Sequence, residues 1–281
     1  MVFFCLNCMQ VTCRTRSAQR VSAARGTYWL GISGMAGFGG MRRGRLFLAL
    51  LAAVVSPCGP AWAIVGEASP ADIVIQRHTV LVYSAKGRCS GVVLAPRLVL
   101  TAAHCVEGED RTYFVGGRVV REHFNRGGIA EIVRHPDFRH SKSSDADIAL
   151  IKLVQPMPER FTPVHLQARP LRQGDRVIVG GYGIGEDGKL DAQITLRSAA
   201  LVVARLWLGR AQLANANREE GVQSGPCGGD SGGPAFTYRG LFALVGIVST
   251  ADCKGKATIV AVSHYYDWIL ETAEKLGSPL K

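Results

Sequence analysis

Acidic residues are missing from the first 63 positions, which hold seven arginines and neither aspartate nor glutamate. A segment so one-sided in charge belongs to a different class from the rest of the chain. Its longest apolar run, Leu46 to Val55, is ten residues, well short of the roughly 20 that a helix needs to cross a bilayer. No stable membrane anchor is therefore expected. Nowhere does a Lys/Arg run alternate with aromatics, so nucleic acid is not an expected partner. Internal repeats and low-complexity tracts are absent too. What remains is ordinary for a folded protein: 281 residues, 47% hydrophobic and 20% charged, enough for one or two domains.

The leader has internal order. Met41-Arg42-Arg43-Gly44-Arg45 is a basic start, Leu46 to Val55 an apolar core, and Ala61-Trp62-Ala63 a small-x-small end. Those three regions describe a secretory signal peptide over 41–63, cut after Ala63. Residues 1–40 precede it as an upstream extension or leader, with Met41 or Met35 as the natural start; an organelle transit peptide is the weaker alternative. Cys5, Cys8 and Cys13 lack a fourth ligand and carry no metal expectation. Removing residues 1–63 takes seven of the formal +11 charges and leaves a mildly basic +4. It also leaves four of eight cysteines, Cys89, Cys105, Cys227 and Cys253, an even set in an exported chain and so two disulfides. The expected location is secreted or periplasmic.

From Ile64 on, short β-rich runs follow one another between Gly, Pro, Asp and Asn: 73–75, 80–83, 91–94, 98–100, 113–115, 148–153, 177–179, 201–203, 242–248 and 258–262. Such punctuation with little helix argues for an all-β barrel or sandwich. One helix stands out, near the C-terminus, where Tyr266, Ile269, Leu270, Ala273 and Leu276 recur at helical spacing. Pro156, Pro158 and Pro163 mark a linker between two halves, 64–163 and 164–281.

The stretch Cys227-Gly228-Gly229-Asp230-Ser231-Gly232-Gly233-Pro234 surrounds one serine with glycines in a way that core packing does not require. Ser231 fits a nucleophile, which needs a base within hydrogen-bond reach and a group to orient that base. The Gly229 and Ser231 amides fit an oxyanion hole, since glycine lets the backbone turn its N–H groups inward. Residues 229–233 also match the G-x-S-x-G elbow of another hydrolase fold, but that fold needs its acid and histidine downstream, and only 50 residues follow Ser231. The candidates lie upstream. His104, in Leu100-Thr101-Ala102-Ala103-His104-Cys105, ends a strand beside a cysteine; Asp147 heads the apolar run Ile148 to Leu153, with Asp145 as a turn residue. A Cys89–Cys105 bridge would fix the backbone that carries His104 and leave Cys227 for Cys253.

With these residues in place, the sequence resembles the trypsin-like (chymotrypsin-fold) serine proteases. Thr101 to Cys105, Asp147 to Leu150 and Gly229 to Pro234 are similar to the family's histidine, aspartate and serine motifs, in the family's order. Ile64-Val65-Gly66, Val179-Gly180-Gly181-Tyr182-Gly183, Val248-Ser249 and 265–269 match as well, so the resemblance covers essentially the whole chain after residue 63. It implies two packed antiparallel β-barrels with a C-terminal helix. His104 and Asp147 would come from the first barrel and Ser231 from the second, meeting in the cleft between them. It further implies that Ser249 bonds Asp147, and that Ser249, Thr250 and Ala251 pair with a peptide substrate. A freed Ile64 ammonium would pair with Asp230 to order the oxyanion hole.

Departures from the family bear on specificity. Gly225 stands where trypsin-like enzymes carry the aspartate that binds Arg or Lys, while Ala251 and Ala257 would narrow the pocket, so a small or medium apolar residue is expected before the scissile bond. Asp252 could modify that choice. Thr250 and Tyr182 replace the family's usual aromatic and tryptophan. A common extra disulfide is missing from 204–224, and no paired-acid calcium loop lies between Glu107 and Gly128, although Glu107, Glu109 and Asp110 form a charge cluster. No cofactor is expected. Expected partners are protein or peptide substrates, with a protein inhibitor as a further candidate, and the chain is expected to be a monomer. Two other readings stay open: a catalytically silent protease-fold binding protein, and an esterase using the same triad.

Overall fold

The computed structural model describes Ile64 and residues 69–84, 87–107, 114–116, 128–139, 146–184, 195–215, 224–238 and 242–280, all within one compact unit of the chain. The expected leader and signal peptide, Val65, Gly66, Glu109, Asp110, Asp145 and Tyr113 lie outside the described residues.

The described chain opens with β1 (Ser69–Pro70) and the short helix α1 (Ile73–His78). Next come β2 (Thr79–Ser84), β3 (Gly87–Ala95), β4 (Leu98–Thr101), β5 (Phe114–Gly116), β6 (Ile129–Arg134) and β7 (Ala149–Leu153). These six pair antiparallel in the order β5-β2-β3-β4-β7-β6. The second half holds β8 (His165–Leu166), β9 (Arg176–Gly181), β10 (Arg197–Trp207), β11 (Arg210–Asn215), β12 (Pro234–Thr237), β13 (Ala243–Ala251) and β14 (Lys256–Ala261). Here β9 pairs with both β10 and β12, so the ring β9-β10-β11-β14-β13-β12 closes on itself as a barrel. The chain ends in helix α2 (Tyr266–Lys275). This is the mostly β architecture with a C-terminal helix that the resemblance implied.

Continuous apolar runs such as Val80-Leu81-Val82 and Leu98-Val99-Leu100 are explained by what each face of the strand meets. Side chains alternate across a strand. Val80, Val82, Val93, Val99, Ile151 and Leu153 form one buried cluster inside the first half. The intervening Leu81, Val92, Leu98, Leu100 and Leu150 pack instead with Phe236, Leu244, Ile247 and Val260 of the second half and with Ile269 and Ala273 of α2. Both faces are dry, and each such aliphatic side chain contributes roughly 1.5–3 kcal/mol by leaving water. The shared cluster is what holds the two halves face to face.

Three features differ from the sequence reading. Residues 73–75 are helical rather than extended, because Asp72 caps the turn by accepting from the Val74 N–H at 2.9 Å. Only Ile75 of that helix is buried, so the β-branched run reflects no strand. Strands β1, β6, β8, β11 and β12 were not anticipated. The short β1 also crosses the expected division near residue 163, pairing with β10 of the second sheet (Ser69 opposite Ser198).

Candidate active site

Strand pairing brings the histidine and the aspartate together. Thr101 at the end of β4 lies opposite Ala149 at the start of β7, so the 3-10 turn Ala103–Val106 and the residues just before β7 leave the sheet at the same edge. Asp147 Oδ1 accepts from the His104 backbone N–H at 2.9 Å and Oδ2 faces His104 Nδ1 at 2.8 Å. The carboxylate is fully buried. An Nδ1–H that donates to Asp147 leaves Nε2 as the ring's proton acceptor.

A third bond to the same carboxylate crosses from the other half: the Ser249 hydroxyl donates to Asp147 Oδ2 at 2.6 Å. Ser249 sits where the register of β13 against β14 shifts, between Val248 and Thr250. A bulge of this kind re-aims one side chain out of the strand's alternation.

Ser231 occupies the turn that leads into β12. The turn is tied down by Gly232 N–H to Val248 O at 2.7 Å and Val248 N–H to Gly233 O at 2.8 Å. A further bond from Ser90 N–H of β3 to Ser231 O at 2.7 Å joins it to the first half. The Ser231 hydroxyl donates to Ser249 O at 3.4 Å, and a hydrogen bond from it to His104 is not made. Asp147 and Ser231 are thus both bonded to Ser249, through its hydroxyl and its carbonyl, while His104 joins the row through Asp147 and its Nε2 lies 3.7 Å from Cys105 Sγ. Among the described residues, the Gly229 and Ser231 backbone N–H groups have no hydrogen-bond acceptor. Gly229 adopts φ +96°, and a Cβ there would come within 2.9 Å of Gly183 Cα, so the turn that presents those amides requires glycine.

Behind this turn lies Asp230, wholly buried and hydrogen-bonded by two amides, Gly183 N–H at 2.7 Å and Cys227 N–H at 2.8 Å. Desolvation pushes its carboxyl up to about 7, against the opposing pull of those two bonds and of Arg197 and Arg88. Ile64 is also fully buried, in the core of the second barrel with Val177, Val179 and Leu201. Its carbonyl accepts from Arg197 Nη1 at 2.6 Å. In this uncleaved chain the Ile64 nitrogen is a peptide nitrogen, and the Asp230 carboxylate accepts from the Gly183 and Cys227 amides.

Of the expected pocket residues, Ser249, Thr250 and Ala251 lie on β13 and Ala257 on β14. Ala251 on β13 is directly opposite Ala257 on β14, and Thr250 is opposite Thr258. Gly225 backs onto the next turn so closely that a Cβ would stand 2.8 Å from Gly255 Cα. The Asp252 carboxylate is engaged by its own turn, accepting from the Lys254 and Lys256 N–H groups at 2.7 and 2.9 Å. Disulfides Cys89–Cys105 and Cys227–Cys253 form with the expected pairing. The first places Cys89, Cys105 and His104 within 4.8 Å of one another, but both sulfurs are spent on each other and supply no thiolate for a metal.

Three contributors escaped the sequence reading. Ser90 Oγ accepts from Tyr182 N–H at 2.9 Å and donates to Gly229 O at 3.1 Å, bracing the turn before Ser231. Arg197 holds Ile64, and Arg210 Nη2 donates to Ser249 Oγ at 3.1 Å. A serine or arginine on a strand carries no local mark of burial, so only the tertiary fold discloses these roles.

The family model described as Trypsin matches residues 64–269. The chain belongs to the trypsin family. Among the relatives of this trypsin-family chain, mouse vitamin K-dependent protein C is 33% identical over 221 residues, covering 69% of the chain and 48% of that protein. Serine protease SP24D of Anopheles gambiae is 26% identical over 199 residues, covering 66% of the chain and 72% of the relative. The chain spans about half the length of the protein C relatives it matches. Two solved structures share the trypsin-family fold at TM-score 0.60, each covering 74% of this chain and 99% of its own: neuropsin, a serine protease of mouse brain, at 23% identity, and an inactivated protease paralogue of the scabies mite at 22%. One neighbour is a protease and the other an inactivated one, so the fold alone does not fix activity. Among the described residues no helix is long and apolar enough to cross a membrane.

Proposed function

We propose that the chain, once cut to begin at Ile64, is an exported serine endopeptidase that cleaves peptide bonds through His104, Asp147 and Ser231. The observation that carries this reading is the buried Asp147 carboxylate, which receives His104 through Nδ1 and through its backbone N–H and so leaves Nε2 free of the Nδ1 proton to act as the base. In the reaction, Ser231 Oγ leaves its long bond to the Ser249 carbonyl, turns about Cα–Cβ to His104, and attacks the substrate carbonyl as Nε2 takes its proton. Asp147 stabilises the imidazolium, which then protonates the leaving amine and leaves an acyl-enzyme for water to hydrolyse. The unfilled Gly229 and Ser231 amides receive the oxyanion.

Signal cleavage after Ala63 frees the Ile64 ammonium, which pairs with Asp230. The reading is supported by a buried carboxyl raised to about 7 by desolvation and by an Ile64 side chain already seated in the same barrel. No separate propeptide is then needed, and activity falls at alkaline pH as the α-amino group loses its proton. The pocket built by Gly225, Ser249, Thr250, Ala251 and Ala257 takes a small or medium apolar residue. Its floor at Gly225 has no room for a methyl against Gly255. Export leads to the periplasm or the cell exterior, and substrates are proteins or peptides met there.

Cleavage-site profiling of the protein starting at Ile64 on a peptide library tests this function. Hydrolysis after Ala, Val or similar residues, absent in Ser231→Ala, is expected. Ester hydrolysis without peptide cleavage would indicate an esterase, and no turnover of either would indicate a silent binding protein.

A further inference from the structure

Among the described residues, the buried charged side chains are Asp147, Asp230, Arg197 and Arg210. Arg197 acts on Asp230 and lies by Ile64. Arg210 stands apart from that pocket. It begins β11 opposite Val260 of β14, which is in turn opposite Ile247 of β13. Val260 and Ile247 belong to the apolar cluster shared by the two halves, so this row of the sheet is a costly place for a cation. An ion taken out of water there costs several kcal/mol unless charge and hydrogen bonds offset it.

One bond of the guanidinium leads to the active site through a hydroxyl. Arg210 Nη2 donates to Ser249 Oγ at 3.1 Å, and Ser249 Oγ donates to Asp147 Oδ2 at 2.6 Å. A serine hydroxyl has one proton and two lone pairs. With the guanidinium donating into a lone pair, the proton is committed to Asp147. A cation on one side of the hydroxyl and a carboxylate on the other polarise it in the same direction, which strengthens both bonds. The result is an uninterrupted row, Arg210 to Ser249 to Asp147 to His104.

We propose that Arg210 is a positioning residue for this site, fixing the Ser249 hydroxyl on Asp147 and through it the orientation of His104. The proposal rests on the protease reading given above. It assigns to β11, a strand remote in sequence from each of the three triad residues, a share in holding the imidazole where Ser231 can use it.

The test is a double-mutant cycle on the protein starting at Ile64, with active sites counted by fluorophosphonate and kcat and KM measured separately. Arg210→Met is expected to lower kcat about 10-fold, the size of a lost charge-assisted hydrogen bond, with KM within about twofold. Arg210→Lys, which keeps a cationic donor, is expected to recover most of the loss. The double variant with Ser249→Ala is expected to be no slower than Ser249→Ala alone, because the proposed effect of Arg210 on the site passes through that hydroxyl. Unchanged kcat in Arg210→Met, or losses that multiply in the double variant, overturns the proposal. If Arg210→Met does not fold by circular dichroism, Arg210→Gln replaces it in the cycle. The low-field NMR signal of the His104 Nδ1 proton, read without substrate, is expected to move in Arg210→Met and to return toward its place in Arg210→Lys. That signal decides the positioning role even if the parent protein turns over no peptide, a result that would instead sink the protease reading.

Discussion

His104 Nδ1 stands 2.8 Å from Asp147 Oδ2, a distance set by the pairing of β4 with β7 rather than by the loops around it. Thr101 opposite Ala149 fixes where both chains leave the sheet. Replacing Asp147 with Asn keeps the shape but removes the charge and presents an amide that favours the wrong imidazole tautomer. Turnover is expected to fall by about 10⁴-fold with the fold intact, as read by steady-state kinetics beside circular dichroism. A loss of less than tenfold would separate Asp147 from the chemistry.

The proposed specificity depends on the close approach of Gly225 to Gly255. Because a Cβ at Gly225 would meet Gly255 Cα at 2.8 Å, Gly225→Asp is expected not to create an Arg or Lys preference. Instead kcat/KM should drop at least tenfold on small apolar substrates without rising on basic ones, since the new side chain must displace the turn that Cys253 anchors. Efficient cleavage after Lys by that variant would show the floor to be deeper than this contact allows.

The Cys227–Cys253 disulfide spans 26 residues. Opening it with paired Ala substitutions is expected to cost about 3 kcal/mol by loop-closure entropy. Chemical denaturation reads that directly. Because the bridge joins the segment just before Ser231 to the turn after β13, activity is expected to be lost at lower denaturant than the structure of the first, six-stranded sheet.

Processing should leave a signature in stability. Asp230 is pushed up to about 7 from an ordinary 3.8 by desolvation, so between those values the folded uncleaved chain holds a proton that the unfolded chain has released. Its contribution, about 4 kcal/mol at most, is full below about pH 4 and is lost as pH rises through 7. In the form beginning at Ile64 the proposed ammonium partner would favour the carboxylate and remove that loss. Burial holds His78 and His135 below their usual range; they favour the opposite pH trend, but in both forms, and cancel in the difference. The Tm of the processed form minus that of an uncleaved form is expected to grow from pH 4 to pH 7. Parallel curves would rule out the ion pair.

How much was readable beforehand follows the kind of signal each residue leaves. His104, Asp147 and Ser231 sit among small residues at strand ends, where a polar side chain interrupts an apolar or glycine-rich pattern, and the cysteines could be paired from their placement. The double-sided apolar runs in β2, β4 and β7 announced buried strands. Ile73-Val74-Ile75 misled, because β-branched residues favour strands while the cap from Asp72 is a local hydrogen bond that overrides the preference. Arg210, Arg197 and Ser90 were illegible for a different reason. Each looks like a surface residue on its own strand, and becomes structural only when a neighbour from a distant part of the chain arrives: Ser249, Ile64 and Gly229 respectively.

The central claim is that Ser231 is an activated nucleophile, and fluorophosphonate labelling of the protein starting at Ile64 tests it most directly. The account predicts near-stoichiometric modification mapped to Ser231 by peptide mass spectrometry, abolished in Ser231→Ala and slowed by at least 10³-fold in His104→Ala. A properly processed protein that does not label, or one that labels as well without His104, would contradict it.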